Sequence, residues 1–465
     1  VDLEFTTPPG ATESELSTAF VRTNARVESV PAVPKDKPQP ETKILQADMV
    51  KVTLRPGGRD VQTVETLTPG VLDFLPNQPS QWKRTLTAAR ISAQYQPGNR
   101  LDQLHAVGKV QLRSDPPAAA KPGAAPRLTW SDDLQAFFDP QTGQMKELRQ
   151  WHNFRYEEGL RKAQAGGARY DPVNDRLTLD TAARVWDATS MTTADLVVLD
   201  QKQDRLHAEG NVTSTHNDSA RPQPGSAPGA GSDSLFSSEQ PMHATAQRFD
   251  AEQHNTILHY HGSARLWQEG NSVQAQEIDL DRNERTLHAN GNVVSILVED
   301  QSPAPAAARA PAGAAAPQSV PRLVTVTADS LLYTDADRRA YYTGRVVMHR
   351  DRMLIRSGEL EAFLRPQQDV QRGESRIERL LARNHVDLVE TAPEKGAPRR
   401  ARAEQAEYFS GEEKITLRGG TPTIEQPGRG STKGAELTYY VDDDRLLVNG
   451  GPGARSETHQ RLKRN

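Results

Sequence analysis

The segment AQEIDLDRNERTLHANGNVVS, residues 275–295, carries the pattern that decides the fold. Apolar residues alternate with polar ones on two arms, with Ile278 and Leu280 on the first arm and Leu287 on the second. Alternation at a period of two is typical of strands that bury one face. The cluster at 281–285 between the arms is rich in Asp and Asn, which favour turns. The segment therefore predicts a β-hairpin.

The same pattern recurs along the chain with a constant internal spacing. A small residue is followed sixteen positions later by Gly, as from Ala275 to Gly291. The offset is kept from Ala194 to Gly210, Ala246 to Gly262, Ala328 to Gly344, Ala403 to Gly419 and Gly434 to Gly450. Looser copies begin near Ala47, Ala88, Ser131, Ala165 and Ser357. We therefore predict about eleven hairpin repeats, because regular self-similarity is the signature of a repeat architecture.

The register of the arms predicts a bend in every unit. With the small residue as position zero, apolar residues occupy +3, +5, +12 and +14. If +3 pairs with +14 and +5 pairs with +12 across the hairpin, the two position numbers of each pair add up to 17. Further along the hairpin, position zero pairs with the apolar residue at +18, so that the position numbers add up to 18. The change from 17 to 18 implies that one strand has one extra residue between the two pairs, which is a β-bulge. We expect this bulge opposite the Gly at +16, which tolerates unusual backbone angles. The predicted fold is all-β, an elongated antiparallel β-jellyroll in which a meander is folded into a V around an apolar trough.

Composition divides the chain into repeats and linkers. We predict a lead segment at 1–42, repeats at 43–218 and 243–459, a linker at 219–242 and a basic tail at 460–465. The lead segment could also be part of a truncated repeat. Within the repeats, shorter Pro/Ala/Gly-rich linkers are predicted at 116–126, 302–321 and 392–398. Each lies between a return strand and the next hairpin, so all leave from one edge of the folded sheet.

Composition and charge exclude several classes of protein. The 465 residues are only 35% hydrophobic and 5% aromatic, which favours a repeat protein over one large compact core. A net charge of -4 provides no global basic field for nucleic acid. The absence of cysteine excludes disulfides, thiolate catalysis and Cys-ligated metals. No signal peptide is visible, and a start at Val1 rather than Met is compatible with a removed export signal or anchor.

No constellation of acids, bases or nucleophiles predicts catalysis, a cofactor or a metal site. His259 and His261 share one strand face and could form a metal pair, although an exposed strand face explains them better. The acidic turn at 442–444 could recruit Ca²⁺ but lacks the spacing of a Ca²⁺-binding loop, so a solvated turn is favoured. Basic residues recur at +11, in Arg176, Arg205, Arg339, Lys414 and Arg445. They could bind phosphates, but we favour the interpretation that they neutralise the acidic turns beside them.

The repeats, above all ADLVVLDQKQDRLHAEGNV from Ala194, resemble the OstA-like repeat of periplasmic lipopolysaccharide-transport proteins. The resemblance covers roughly residues 43–455 and is weakest in the first three units. That family includes a soluble bridge protein, a membrane-anchored periplasmic partner and the N-terminal domain of the outer-membrane translocon. It implies a β-jellyroll whose interior slides acyl chains from the inner to the outer membrane, without catalytic residues. The greater length leaves open a fused anchor-plus-bridge protein or a long bridge variant.

The expected function is therefore that of a non-enzymatic periplasmic carrier of lipopolysaccharide, with anchoring to the inner membrane through a segment outside this sequence left open. The expected partners are lipopolysaccharide or its lipid A part, and other transport proteins reached by edge-strand pairing. A structural or adhesive repeat protein with a self-filled core is the main alternative, and a β-helix enzyme with surface carboxylates is a third. The residues expected to line the trough and contact acyl chains are Val197, Leu199, Leu206, Val212, Ile278, Leu280, Leu287, Val293, Leu331, Tyr333, Val346, Leu437, Tyr439 and Leu446.

Overall fold

The structure is a computed structural model that comprises two compact units, Val1–Val212 and Thr213–Asn465. It describes the chain except for residues 8, 11, 31–38, 121–122, 218–239, 269, 300–321, 366–376, 392–397, 428–429, 442–444, 451–456 and 461–465. The predicted linkers at 219–242, 302–321 and 392–398, the basic tail and the acidic turn at 442–444 therefore lie wholly or mostly outside the described residues.

Unit 1 is built from antiparallel strands that pair in chain order. The strands are β1 (Asp2–Thr6), β2 (Glu15–Ser29), β3 (Thr42–Leu54), β4 (Val61–Thr66), β5 (Gly70–Leu75), β6 (Lys83–Ala88), β7 (Arg90–Gln96), β8 (Arg100–Asp115), β9 (Arg127–Phe138), β10 (Met145–Glu158), β11 (Arg161–Asp171), β12 (Arg176–Trp186) and β13 (Ser190–Asp200), and β14 (Arg205–His216) spans the unit boundary. Two long strands, β3 and β8, each pair with two shorter strands. β3 pairs with β4 and β5, and β8 pairs with β6 and β7.

Unit 2 repeats this arrangement. Its strands are β15 (Met242–Glu252), β16 (Ile257–Gln268), β17 (Asn271–Asp281), β18 (Thr286–Glu299), β19 (Arg322–Thr334), β20 (Arg339–Arg350), β21 (Met353–Leu364), β22 (Ile377–Glu390), β23 (Arg399–Phe409), β24 (Lys414–Arg418), β25 (Thr423–Gln426), β26 (Gly430–Lys433), β27 (Glu436–Tyr440), β28 (Arg445–Asn449) and β29 (Glu457–Gln460). A 3-10 turn at Ser410–Glu412 joins β23 to β24. No helix in the described part of the chain has the length and apolar character needed to cross a membrane.

The predicted antiparallel β-jellyroll is confirmed, and the eleven predicted units correspond to successive strand pairs from β3/β4 to β27/β28. The sheet also extends further toward the N-terminus than the repeat pattern predicted. β1 and β2 pair with each other, and β2 pairs with β3, so the lead segment at 1–42 contributes a further hairpin. Its strands lack the small-residue-to-Gly spacing, which is why the pattern did not include them.

Most hairpins are bent at the predicted level, and the position of the bulge corrects the sequence interpretation. The hairpin of β3 and β4 has no such bulge, because β3 continues there with β5 as its partner. β17 and β18 pair Ile278 with Ala289, as the sum of 17 requires, and Gln274 with Val294 beyond the bend. Two residues of β17 but three residues of β18 lie between the flanking pairs. The extra residue is therefore on the strand that carries Gly291, and not on the strand opposite it as expected.

The bend is made by two successive residues in the left-handed region. Gly291 has φ +78° and Asn292 has φ +52°. The same pair of left-handed residues recurs at 23–24, 108–109, 152–153, 181–182, 210–211, 262–263, 344–345, 384–385 and 419–420. Because L-residues reach this region only at a cost, glycine at the first position lowers the strain of the bend.

The bend separates each strand into two parts. We call the part between bend and hairpin turn, such as 277–281 of β17, the turn wall, and the part beyond the bend, such as 271–274, the linker wall. Inward side chains of the two walls face one another in both units. In unit 1, the Phe74 ring of the linker wall stacks on the Phe138 ring of the turn wall with 6.3 Å between centroids. In unit 2, Ser214 of the linker wall hydrogen-bonds Tyr260 of the turn wall at 2.8 Å.

Candidate functional site

The candidate site is the apolar interior between the two walls of each unit. In unit 1 the inward residues form a buried cluster that includes Val50, Leu86, Ile91, Leu104 and Leu134. Strand alternation produces this cluster, because every second residue points inward and the residues between them point outward. The interior is therefore a continuous run of aliphatic and aromatic side chains that crosses neighbouring strands.

The interior of unit 2 is equally apolar and contains paired polar groups at one level. The rings of Phe249 and Tyr260 stack at 4.6 Å between centroids. The Tyr260 hydroxyl contacts Ser214 Oγ at 2.8 Å and His216 Nε2 at 2.9 Å, so this buried phenol has polar partners. Burial raises the pKa of Tyr260 and keeps the phenol neutral. The interior thus adds no charge at this level.

All fourteen residues expected to line the trough occupy inward positions of their strands. Three are partly exposed near the hairpin turns: Leu206, Leu280 and Leu446. The other eleven are buried: Val197, Leu199, Val212, Ile278, Leu287, Val293, Leu331, Tyr333, Val346, Leu437 and Tyr439. They do not converge on one point, since they are distributed over both walls and both units. Their contact with a lipid stays a prediction.

The interior is largely filled by its own side chains. Ile278, Leu331 and Val293 have no measurable solvent exposure, which requires close contact with neighbouring side chains. A cavity of about 50 Å³ lies between the walls of unit 1, and one of about 260 Å³ lies beside Arg350 in unit 2. For comparison, an engineered apolar cavity that binds benzene has a volume of about 150 Å³. The smaller cavity therefore cannot hold an acyl chain unless the walls separate.

Charged and hydroxyl groups of the two walls contact each other across the opening of the interior. The sequence analysis did not predict these contacts. In unit 1, Arg127 on the linker wall binds Asp175 in the β11–β12 turn, with Nη1 to Oδ1 at 2.9 Å and Nη2 to Oδ2 at 3.3 Å. Tyr170 donates a hydrogen bond to the same Asp175 carboxylate at 2.8 Å. A usable signal was present, because Tyr recurs at +5 in Tyr170, Tyr333, Tyr408 and Tyr439.

The outer face carries cross-strand pairs of polar side chains. His259 lies 2.7 Å from Asp279, and His261 lies 3.5 Å from Glu277. Two of the basic residues at +11 pair with nearby carboxylates, in agreement with the interpretation that they neutralise the acidic turns. Arg176 binds Asp200 at 3.0 Å, and Lys414 binds Glu412 at 2.7 Å. Over the described ranges, no group of three or more His, Asp or Glu residues is arranged to hold a metal ion.

Comparison with known proteins identifies the repeat. A family described as LptA/(LptD N-terminal domain) LPS transport protein matches residues 196–286 and 325–445. The two matched ranges therefore carry repeats of the OstA-like lipopolysaccharide-transport family. Solved structures that match include LptH of Pseudomonas aeruginosa, titled the LptA-homologous periplasmic component of the lipopolysaccharide transport device. It shares 16% identity with a TM-score of 0.26, over 30% of this chain and 95% of that chain. No curated protein matches the chain.

The match to this family supports a general role in lipopolysaccharide transport. The matched ranges cover both arms of the hairpins from β14 to β17 and run from β19 to β27. Eleven of the fourteen expected lining residues fall within them: Val197, Leu199, Leu206, Val212, Ile278, Leu280, Leu331, Tyr333, Val346, Leu437 and Tyr439. The hairpins of unit 1 upstream of residue 196 extend the same fold beyond the matched ranges.

Proposed function

We propose that the chain is a non-enzymatic carrier of lipopolysaccharide in the periplasm, which holds acyl chains between the turn wall and the linker wall. The observation that carries this proposal is the predominantly apolar character of the inward positions on both walls. Each methylene removed from water contributes about 0.8 kcal/mol, so acyl chains can be held without specific polar contacts. A lining of this kind suits movement along the interior, because no position binds much more tightly than the next.

The walls must separate before acyl chains can be accommodated. The complete burial of Ile278 and Leu331 also fits the competing proposal, a structural repeat protein with a permanently self-filled interior. The two proposals differ in what happens when lipid is supplied. In a carrier the lipid replaces contacts between the walls, and in a structural protein it stays in solution.

Photo-crosslinking distinguishes the two. A photoreactive residue at Leu280, which points inward and is partly exposed near the turn, should form adducts when lipopolysaccharide is supplied. The matched control is Asp279, the adjacent residue, whose side chain points outward to His259. Adducts at position 280 and none at 279 support the carrier. Equal labelling at both positions, or none at either in a folded protein, contradicts it.

A second measurement needs no label. Lipid extracted from protein purified out of a lipopolysaccharide-producing cell should contain lipid A by mass spectrometry.

We further propose that other transport proteins of the family bind by strand addition at sheet edges. β1 pairs with β2 on one side, and its side chains are exposed along its whole length. Crosslinks from Leu3 to a co-expressed family partner would support this contact, and their absence would argue for a different docking surface.

A further inference from the structure

The opening of the unit 1 interior is closed by a partly buried arginine. Arg127 stands at the start of β9 on the linker wall, with only 16% of its side chain exposed. Its Nε donates to Glu158 on the same wall at 2.9 Å, and its Nη atoms bind Asp175 of the turn wall. The guanidinium also lies 4.5 Å from the centre of the Trp82 ring. Arg127 therefore connects the two walls at the point where they would have to separate.

The cavity beneath this arginine has the composition of an amphiphile site. Its lining combines apolar side chains, which include Leu112, Leu148, Phe154 and Leu177, with polar ones, which include Arg84, Arg127, Ser114, Tyr156 and Tyr170. Two further lining residues, Thr129 and Gln201, have a buried oxygen atom, Oγ1 and Oε1 respectively, without a hydrogen-bond partner among the described residues. Buried polar atoms usually have partners, so these two point to a polar group that binds here.

The same arrangement recurs independently in unit 2. Arg350, at the end of β20 on the linker wall, donates to the Tyr408 hydroxyl on the turn wall at 2.6 Å. Tyr408 donates in turn to Glu413 at 2.9 Å, and all three residues line the cavity of about 260 Å³. In both units an arginine of the linker wall thus contacts a tyrosine of the turn wall, and the hydroxyl of that tyrosine donates to a carboxylate. A recurring cross-wall contact at a cavity is more than an incidental surface ion pair.

We propose that Arg127 is a latch across the unit 1 interior, and that a phosphate group of an incoming lipid opens it by replacing Asp175 on the guanidinium. This inference rests on the proposed carrier function and adds the place where the headgroup binds. Arginine binds carboxylate and phosphate through the same two-pronged geometry, so the exchange keeps the buried guanidinium paired. Glu158 stays bound throughout on the linker wall. Arg84, held by Glu41 at 2.8 Å, supplies a second cation at the rim.

The separation of the walls is tested by a disulfide. Pro40 on the linker wall and Gly143 in the β9–β10 turn approach so closely that a Cβ on Gly143 would lie 3.3 Å from the Pro40 Cβ. This is near the usual Cβ separation of a disulfide, and the chain has no other cysteine. The oxidised double variant P40C/G143C should lose capture of lipid A, and reduction should restore it. Equal capture in both states, with the disulfide verified by mass, overturns the inference.

The phosphate exchange is tested with lipid A and with dephosphorylated lipid A as probes. Wild type should prefer the phosphorylated form, and Arg127→Gln should lower that preference by about tenfold or more, since a hydrogen bond to a charged group is lost. Asp175→Asn, which removes the competing carboxylate, should raise capture of the phosphorylated form. The control is Arg149→Gln, an exposed arginine paired with Glu147.

The outcomes separate the two proposals. If wild type captures neither probe, the carrier function itself fails. If wild type captures both probes equally, or if Asp175→Asn and Arg127→Gln leave the preference of a captured lipid unchanged, the carrier stands and the latch is wrong. Should Arg127→Gln fold poorly by circular dichroism, Asp175→Asn alone decides the question, because it leaves Arg127 paired with Glu158.

Discussion

Replacing Gly291 by alanine should destabilise unit 2 through two separable effects. Gly291 has φ +78°, where an L-residue costs roughly 1–2 kcal/mol. In addition, an added Cβ would lie 2.7 Å from Gln276 Cγ and 2.9 Å from Gln276 Cβ. The Gln276 Cβ is attached to the backbone and cannot rotate away, so the strands must shift. We expect a total loss of roughly 1–3 kcal/mol, and a larger loss for valine.

Urea unfolding followed by far-UV circular dichroism measures this loss. Gly57→Ala is the matched control, because Gly57 also has a positive φ but an added Cβ would meet no atom within 4 Å. The double variant Gly291→Ala with Gln276→Gly should recover the contact part of the loss and leave the dihedral part. A Gly291→Ala protein within about 0.5 kcal/mol of wild type would refute the reasoning, since that is the range of neutral surface substitutions.

Three further predictions follow from the same structure. Thr181→Gly should stabilise unit 1 by roughly 0.5–1 kcal/mol in urea, because it removes a β-branched residue at φ +62°; a loss of stability would show that the threonine is not strained. Ile278→Asp should destabilise unit 2 by several kcal/mol, roughly the cost of an unpaired polar group in a dry interior, and a folded variant with an unchanged urea midpoint would show that the site is hydrated. Burial raises the pKa of Tyr408 to about 12, so stability should be intact below pH 10, where the unfolded phenol ionises, and should fall between pH 10 and 12. Tyr408→Phe should flatten that decline in urea midpoints measured against pH, and an equally steep decline in the variant would exclude this phenol as its cause.

The bend illustrates why the repeat could be read from sequence. At most bends one of the two facing residues is a glycine, which avoids a close contact between two Cβ atoms. In most units the glycine is at +16, as in Gly291, but in the unit from Ala165 it is at +1, where Gly166 faces Thr181. A Cβ on Gly166 would lie 2.8 Å from the Thr181 Cβ. The pattern at +16 therefore reflects a local steric preference, and the looser copies from Ala165 and Ser357 meet it from the other strand, through Gly166 and Gly358.

The sequence by itself determined the strands, their inward faces, the pairing register and the level of the bend. These features depend on residues within one hairpin, so a period of two and a constant offset to Gly are sufficient to specify them. The alternation also identified the interior, because inward residues such as Ile278 and Val293 are apolar in nearly every unit.

Only the tertiary structure decided which strand carries the extra residue, how far the interior is filled and which groups close its opening. Arg127 and Asp175 are 48 residues apart and belong to different hairpins. Their contact depends on how the two walls face each other across several strands, which no local pattern encodes. The same holds for Arg350 and Tyr408, 58 residues apart. Repeat periodicity specifies the neighbours along the sheet, whereas contacts across the fold depend on the accumulated bend and twist of every strand between them.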